Sequence, residues 1–263
     1  MPSTLHQRFV ALLCETCGYG LAGLPETSDC PECGTPIARS LPTQRAGSRW
    51  LRRPGLFSWA RTNWDVVRHP KTTFRSLQLV GTGWRPFLAI NLLIAAFLLV
   101  EPYTGTFIGD PLRNARAFDN PAAVAGYAFA IISRTAGAAL LLFGLTWIET
   151  LGVRFFAARR GWRITKAAAW QICAHASIGW VLMALLPLLV LALYFSINLF
   201  FGSEISRWTG RSVDLRPVIG ISSTVGEVGV VGLTLVAYAA GLVVFESLVY
   251  VGVRKCRYGN APT

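Results

Sequence analysis

The chain opens polar and ends apolar. Up to about residue 40, Gly and Pro interrupt every short apolar run: Gly18, Gly20, Gly23, Pro25, Pro31, Gly34 and Pro36. No helical or strand period survives there for more than a few positions. Between Pro54 and Pro70 a helical period appears, with Leu56, Ala60, Trp64 and Val67 on one stripe and Arg61 and Arg68 off it. From residue 86 apolar residues dominate. The runs 87–100, 122–151, 167–201 and 224–253 are candidate helices. A hydrocarbon core of about 30 Å takes about 20 helical residues. The first run is short by that measure. The third is too long for one simple crossing, and Pro187 is expected to divide or kink it.

Composition supports a membrane reading. Of 263 residues, 53% are hydrophobic and only 14% charged, whereas soluble domains carry about 25% charged residues. No cleavable leader is expected, because the apolar run near the N-terminus leads within a few residues into a cysteine pair. The expected fold is all-α: a polytopic helical membrane bundle of four to five transmembrane helices with a small N-terminal zinc-ribbon module. Its parts are expected at 1–40 (zinc ribbon), 41–84 (a basic, Trp-rich juxtamembrane linker with an amphipathic helix), 85–256 (helical membrane domain) and 257–263 (a short cytoplasmic tail).

The distribution of charge sets an orientation. Residues 39–85 hold ten cations against a single acid, Asp65. Arg154, Arg159, Arg160, Arg163 and Lys166 follow the second apolar run, and Arg254, Lys255 and Arg257 follow the last. The segments after the first and third runs are nearly balanced: Asp110 and Asp119 against Arg113 and Arg116, and Glu204 and Asp214 against Arg207, Arg211 and Arg216. This alternation fits four crossings with both ends in the cytoplasm, as expected of a multi-pass protein of the cytoplasmic (inner) membrane. Five crossings would put the basic tail outside. Arg49, Arg52, Arg53, Arg61 and Arg68, interleaved with Trp and Phe, form a basic collar suited to anionic lipid head groups.

Four of the six cysteines form two Cys-x-x-Cys pairs, Cys14/Cys17 and Cys30/Cys33, each followed by a glycine. Two tight turns that aim four thiolates at one point suit tetrahedral Zn2+ in a closed, structural site. Four thiolates leave no open position, so no catalysis is expected at the metal. A cytoplasmic placement argues against disulfides. The acidic residues around the knuckles disfavour nucleic acid. Cys173 and Cys256 read as buried filler.

Polar residues inside the apolar runs are costly and therefore informative. Counted from the nearest basic anchors at about 1.5 Å per residue, Asn91, Glu149, His175 and Glu246 all fall in the inner half of the bundle. They are expected to share one buried polar cluster, either as interhelical hydrogen bonds or as a proton or ion site. Arg134 lies near the opposite interface and reads as a snorkelling side chain. The segments "WIETLGVRFF" and "VFESLVYVGVRK" echo one another.

The stretch "NWDVVRHPKTTFRSL" leads into a helical membrane domain with "GWRITKAAAWQICAHASIGWVLMALLPLL" at its middle. This order resembles bacterial members of the YIP (Ypt-interacting protein) family, some of which carry an N-terminal zinc ribbon. The resemblance implies about five membrane helices and a cytoplasmic N-terminus. The eukaryotic members bind small GTPases; their acidic Asp-Leu-Tyr-Gly-Pro motif is absent here, and no functional residue carries over. The expected function is a non-enzymatic membrane scaffold or adaptor with a cytoplasmic protein partner; the alternative is a small transporter or channel built on the polar cluster. No His-Glu-x-x-His, Gly-x-Ser-x-Gly or intramembrane aspartate pair suggests an enzyme. No feature of the sequence sets an oligomeric state.

Overall fold

The computed structural model describes residues 12–100, 121–209 and 223–260. The acid–base balance read for 101–120 and most of that read for 204–216 lie outside the described residues. Two short 3-10 turns, Ile37–Ser40 and Pro42–Gln44, follow the cysteine segment. Then come α1 (Arg49–Arg52), α2 (Leu56–Arg68), α3 (Pro70–Ser76), α4 (Trp84–Val100), α5 (Pro121–Arg159), α6 (Lys166–Ala176), α7 (Ile178–Thr209) and α8 (Ser223–Cys256). Among the described residues there is no strand, only two isolated bridges, Leu13 with Gly20 and Asp29 with Pro36. Three helical segments are long and apolar enough to cross a membrane: Val124–Arg159, Lys166–Tyr194 and Val231–Cys256. Trp84–Val100 is a shorter apolar helix.

Pro187 does not divide the third apolar run. α7 passes through it, and the break falls at Ser177 instead. There the backbone turns more tightly, with Ser177 N–H donating to Ala174 O at 3.4 Å and the Ser177 hydroxyl donating to the same carbonyl at 2.6 Å. A hydroxyl that competes for a helix carbonyl bends or ends a helix by local hydrogen bonding. Pro187 removes one donor, a loss that apolar helices in a bilayer tolerate.

The chain forms two compact units. One gathers the described residues up to Ile90, Gly144–Ile178 and those from Glu246 onward: the cysteine module, the collar and the neighbouring helix ends. Its core is aromatic. Trp84 stacks on Trp170 with centroids 4.7 Å apart, Phe87 lies 5.0 Å from the His175 ring, and Trp50 lies 5.6 Å from Phe87. Trp50 Nε1–H donates to Gly83 O at 2.9 Å, which fastens α1 to the start of α4. The basic segments 39–85, 154–166 and 254–257 all belong to this unit.

The second unit, Asn91–Phe143 and Gly179–Phe245, is built on close helix contact. A Cβ on Gly241 would stand 2.2 Å from Met183 Cα, and one on Gly179 would stand 2.6 Å from Phe245 Cα. Trp180 stacks on Phe245 at 4.4 Å. Small residues that let backbones approach are the usual means of helix association in lipid, where apolar burial alone gives little drive. The outward side chains of α5 are apolar and bare, for example Phe129, Ile132, Leu140 and Leu141, as a lipid-facing helix requires.

Gly241→Leu should therefore destabilise the protein by about 1–3 kcal/mol through overpacking. Gly232→Leu, whose Cβ meets nothing within 4 Å, should leave it unchanged. Thermal denaturation in detergent, followed by circular dichroism, measures both.

Candidate metal centre and associated polar sites

The two cysteine pairs lie on two knuckles related by a shift of sixteen residues. In each, the glycine N–H returns to the first cysteine's carbonyl: Gly18 to Cys14 and Gly34 to Cys30, both at 2.8 Å. Each first cysteine then donates across its turn, Cys14 N–H to Tyr19 O at 2.8 Å and Cys30 N–H to Thr35 O at 2.9 Å. Gly18 (φ +86°) and Gly34 (φ +64°) occupy the left-handed region that closes such turns. Leu21 and Ile37, also sixteen apart, pack with Cys14 and Cys30 as a small buried core. The spacing of Cys14 to Cys30, Cys17 to Cys33 and Gly18 to Gly34 carries this internal repeat in the sequence.

The four sulfurs lie within 4.8 Å of one another. Cys14 Sγ is 3.6 Å from Cys33 Sγ, and Cys17 Sγ is 3.6 Å from Cys30 Sγ. A tetrahedral ion with metal–sulfur bonds of about 2.3 Å needs sulfurs roughly 3.8 Å apart, so the donor set and its spacing are compatible with a metal site. All four cysteines are free thiols. The Thr35 hydroxyl, 3.3 Å from Cys33 Sγ, holds that thiol down to about 6, whereas burial pushes the Cys17 thiol up to about 12.

The module is fastened to the end of α8. Asn260 is the first tie. Its Oδ1 accepts from Leu13 N–H at 3.0 Å, and its Nδ2 donates to Leu13 O at 2.8 Å and to Ser40 O at 2.7 Å. Its backbone N–H donates to Glu15 Oε1 at 3.2 Å. Arg45 is the second tie. It pairs through Nε with Glu15 Oε1 at 2.8 Å, both side chains being almost fully buried, and donates to Leu77 O and Lys255 O. Arg257 donates to Thr16 O at 2.6 Å, and its carbonyl accepts from Arg163 N–H at 2.7 Å. Tyr258 lies against Gly18, where a Cβ would come within 2.8 Å of its ring. The short tail expected from residue 257 is thus packed up to Asn260.

Of the expected polar cluster, the two glutamates come together. Glu149 and Glu246 line one open cleft of about 260 Å³ with Phe156, Arg160, Trp162 and Tyr250. The two echoing segments therefore face each other across it. His175 is turned elsewhere. Its Nδ1–H donates to Gln171 O at 2.8 Å, and its Nε2 stands 3.0 Å from Ser48 Oγ. With both ring nitrogens engaged, it offers nothing to the glutamates. Asn91 is fully buried and belongs to the second unit.

Of the collar residues, Arg49 pairs with Asp65 at 3.1 Å. Arg52, Arg53, Arg61 and Arg68 are exposed. Composition hid the buried role of Arg45, because one arginine among ten neighbouring cations carries no mark of its burial.

Arg45→Ala should leave Glu15 uncompensated at a cost of about 3–5 kcal/mol and loosen the end of α8. Cys256, fully buried beside Arg45, should then react with maleimide roughly tenfold faster or more. Peptide mapping by mass spectrometry reads that rate, and Arg39→Ala should not alter it.

No family model, curated protein or solved structure matches this chain.

Proposed function

We propose that the protein is an integral membrane scaffold or adaptor whose zinc-bound cysteine module presents a recognition surface to a cytoplasmic protein, with no catalytic activity of its own. The observation that carries this reading is the module's fastening to α8 through Glu15, Arg45 and Asn260. Such a module is a rigid platform rather than a tethered arm. Its four thiolates close the metal site, so its chemistry lies on its surface. That surface is the 22–29 loop between the knuckles, where Leu24, Glu26 and Asp29 are exposed.

Zn2+ is the metal this donor set favours, since four thiolates suit a soft tetrahedral site. The purified chain should hold one zinc per molecule, and Cys17→Ser should abolish stoichiometric binding, as measured by metal analysis after gel filtration. A wild-type chain without metal would refute the zinc assignment.

The membrane reading extends to four crossings, with α4 as the fourth. Its support is that the module and residues 257–260 pack together, which requires an even number of passes between them. The basic segments gather in the same unit as the module, which by the positive-inside tendency favours the cytoplasmic face of the inner membrane. The YIP-like order of ribbon, collar and helical domain belongs to the same proposal, with one crossing fewer than that family has.

A photo-crosslinking residue at position 24 tests the adaptor function. It should capture a cytoplasmic protein, and capture should fall about tenfold when Glu26 and Asp29 are changed to Ala, as expected when polar contacts at a small interface are lost. Capture that ignores both changes would refute the loop as the recognition surface.

A transporter is the second reading, and the cleft shared by Glu149 and Glu246 favours it. Under the adaptor reading, Glu246→Ala should leave proton and cation flux in proteoliposomes at the level of the wild-type chain. Flux that is present in the wild type and lost in the variant would favour transport.

A further inference from the structure

α2 turns its apolar side outward. Thr62, Asn63 and Val66 are the buried positions, and the Thr62 hydroxyl accepts from Trp50 N–H at 3.0 Å. On the other side Leu56 and Phe57 are 82% and 81% exposed, and Ala60, Trp64 and Val67 continue the bare surface. Arg61 and Arg68 flank it, and the Arg68 guanidinium lies 5.6 Å from the centre of the Trp64 ring. At the N-terminal end of α2, Arg49, Arg52 and Arg53 line an open groove of about 550 Å³ together with Leu56 and Phe57. No acidic residue lines that groove.

Two arguments identify what covers this face. The first is charge complementarity. A groove lined by the guanidinium groups of Arg52 and Arg53, unpaired among the described residues, with that of Arg49 already paired to Asp65 at 3.1 Å, suits a phosphate, and no carboxylate lines it to pair with the cationic half of a zwitterionic head group. The second is continuity with the membrane region. α1 is tied to the start of α4 by Trp50 Nε1–H to Gly83 O and by the contact of Trp50 with Phe87. That tie holds α2 beside the point where an apolar helix begins. A Trp-bearing apolar stripe flanked by arginines at this level matches helices that lie in the interface plane.

We propose that α2 lies in the head-group layer with its Leu56-to-Val67 side in the acyl boundary, and that the Arg49–Arg52–Arg53 groove binds the phosphate of an anionic phospholipid. The inference rests on the membrane reading given above and adds to it a specific lipid site.

The test uses the full chain in nanodiscs of phosphatidylcholine with a minority of phosphatidylglycerol, with the lipid retained by each chain counted by native mass spectrometry. The wild-type chain should retain phosphatidylglycerol in excess of its share. Arg52→Gln/Arg53→Gln should lower that retention about tenfold, in keeping with the attraction of single cations to anionic lipid. Arg39→Gln/Lys71→Gln removes the same charge from exposed positions off the groove and should change little. Shallow-brominated lipid should quench a fluorescence component that disappears in Trp64→Phe. Equal retention in both double variants, or a Trp64 component that is not quenched, overturns the proposal. Deep-brominated lipid separates this failure from a failure of the membrane reading. If it quenches Trp147 and Trp180 while Trp64 stays unquenched, only the α2 site falls; if none is quenched, both readings fall.

Discussion

One guanidinium group joins three separate parts of the chain. Arg45 pairs with Glu15 in the cysteine module, donates to Leu77 after α3, and donates to Lys255 at the end of α8. A buried charge is tolerated only when its donors find good partners, and removing a partner costs far more than the pair contributes in net stability. The junction is therefore stringent: the three segments meet in one arrangement or Arg45 is left exposed to an apolar core. Asn260 works beside it, bridging both edges of the module with a single amide. A consequence for topology follows directly. On the membrane reading proposed above, segments bonded to one another lie on the same face of the bilayer, so the passes between the module and the tail come in an even number.

The junction also bears on what a metal at the cysteine cluster would do. Its small core of Leu21, Ile37 and two cysteines is too slight to fold on apolar burial alone, since domains of this size lean on metals or disulfides. A bound metal would hold the knuckles, the knuckles would hold Glu15 in place, and Glu15 would hold Arg45. Metal, module and the end of α8 would then be held together, while the loop between the knuckles stays exposed.

Much of the fold was legible in the sequence because it rests on local chemistry. Two Cys-x-x-Cys-Gly turns specify their own geometry, and four apolar runs specify helices by length and composition. The amphipathic stripe of α2 was also legible, and its apolar side is exposed. Long-range pairing was not legible. Asn91, Glu149, His175 and Glu246 share an estimated depth, but depth along a helix says nothing about rotation around it. His175 faces Ser48, and the two glutamates share a cleft. Likewise Pro187 marks a missing donor, whereas the actual break at Ser177 depends on which carbonyl a hydroxyl reaches. Arg45 and Asn260 carry no local signal at all, since their partners lie from thirty to more than two hundred residues away.

The shared face of module and tail is the claim on which the rest depends. Protease-cleavable tags placed before Met1 and after Thr263 test it in sealed vesicles of known orientation, with a protease that cannot cross the membrane. Both tags are expected to be cut in the same vesicle orientation, the inside-out one on the cytoplasmic placement proposed above, and protected in the other. Cleavage of one tag in each orientation would contradict the junction and the even number of crossings derived from it.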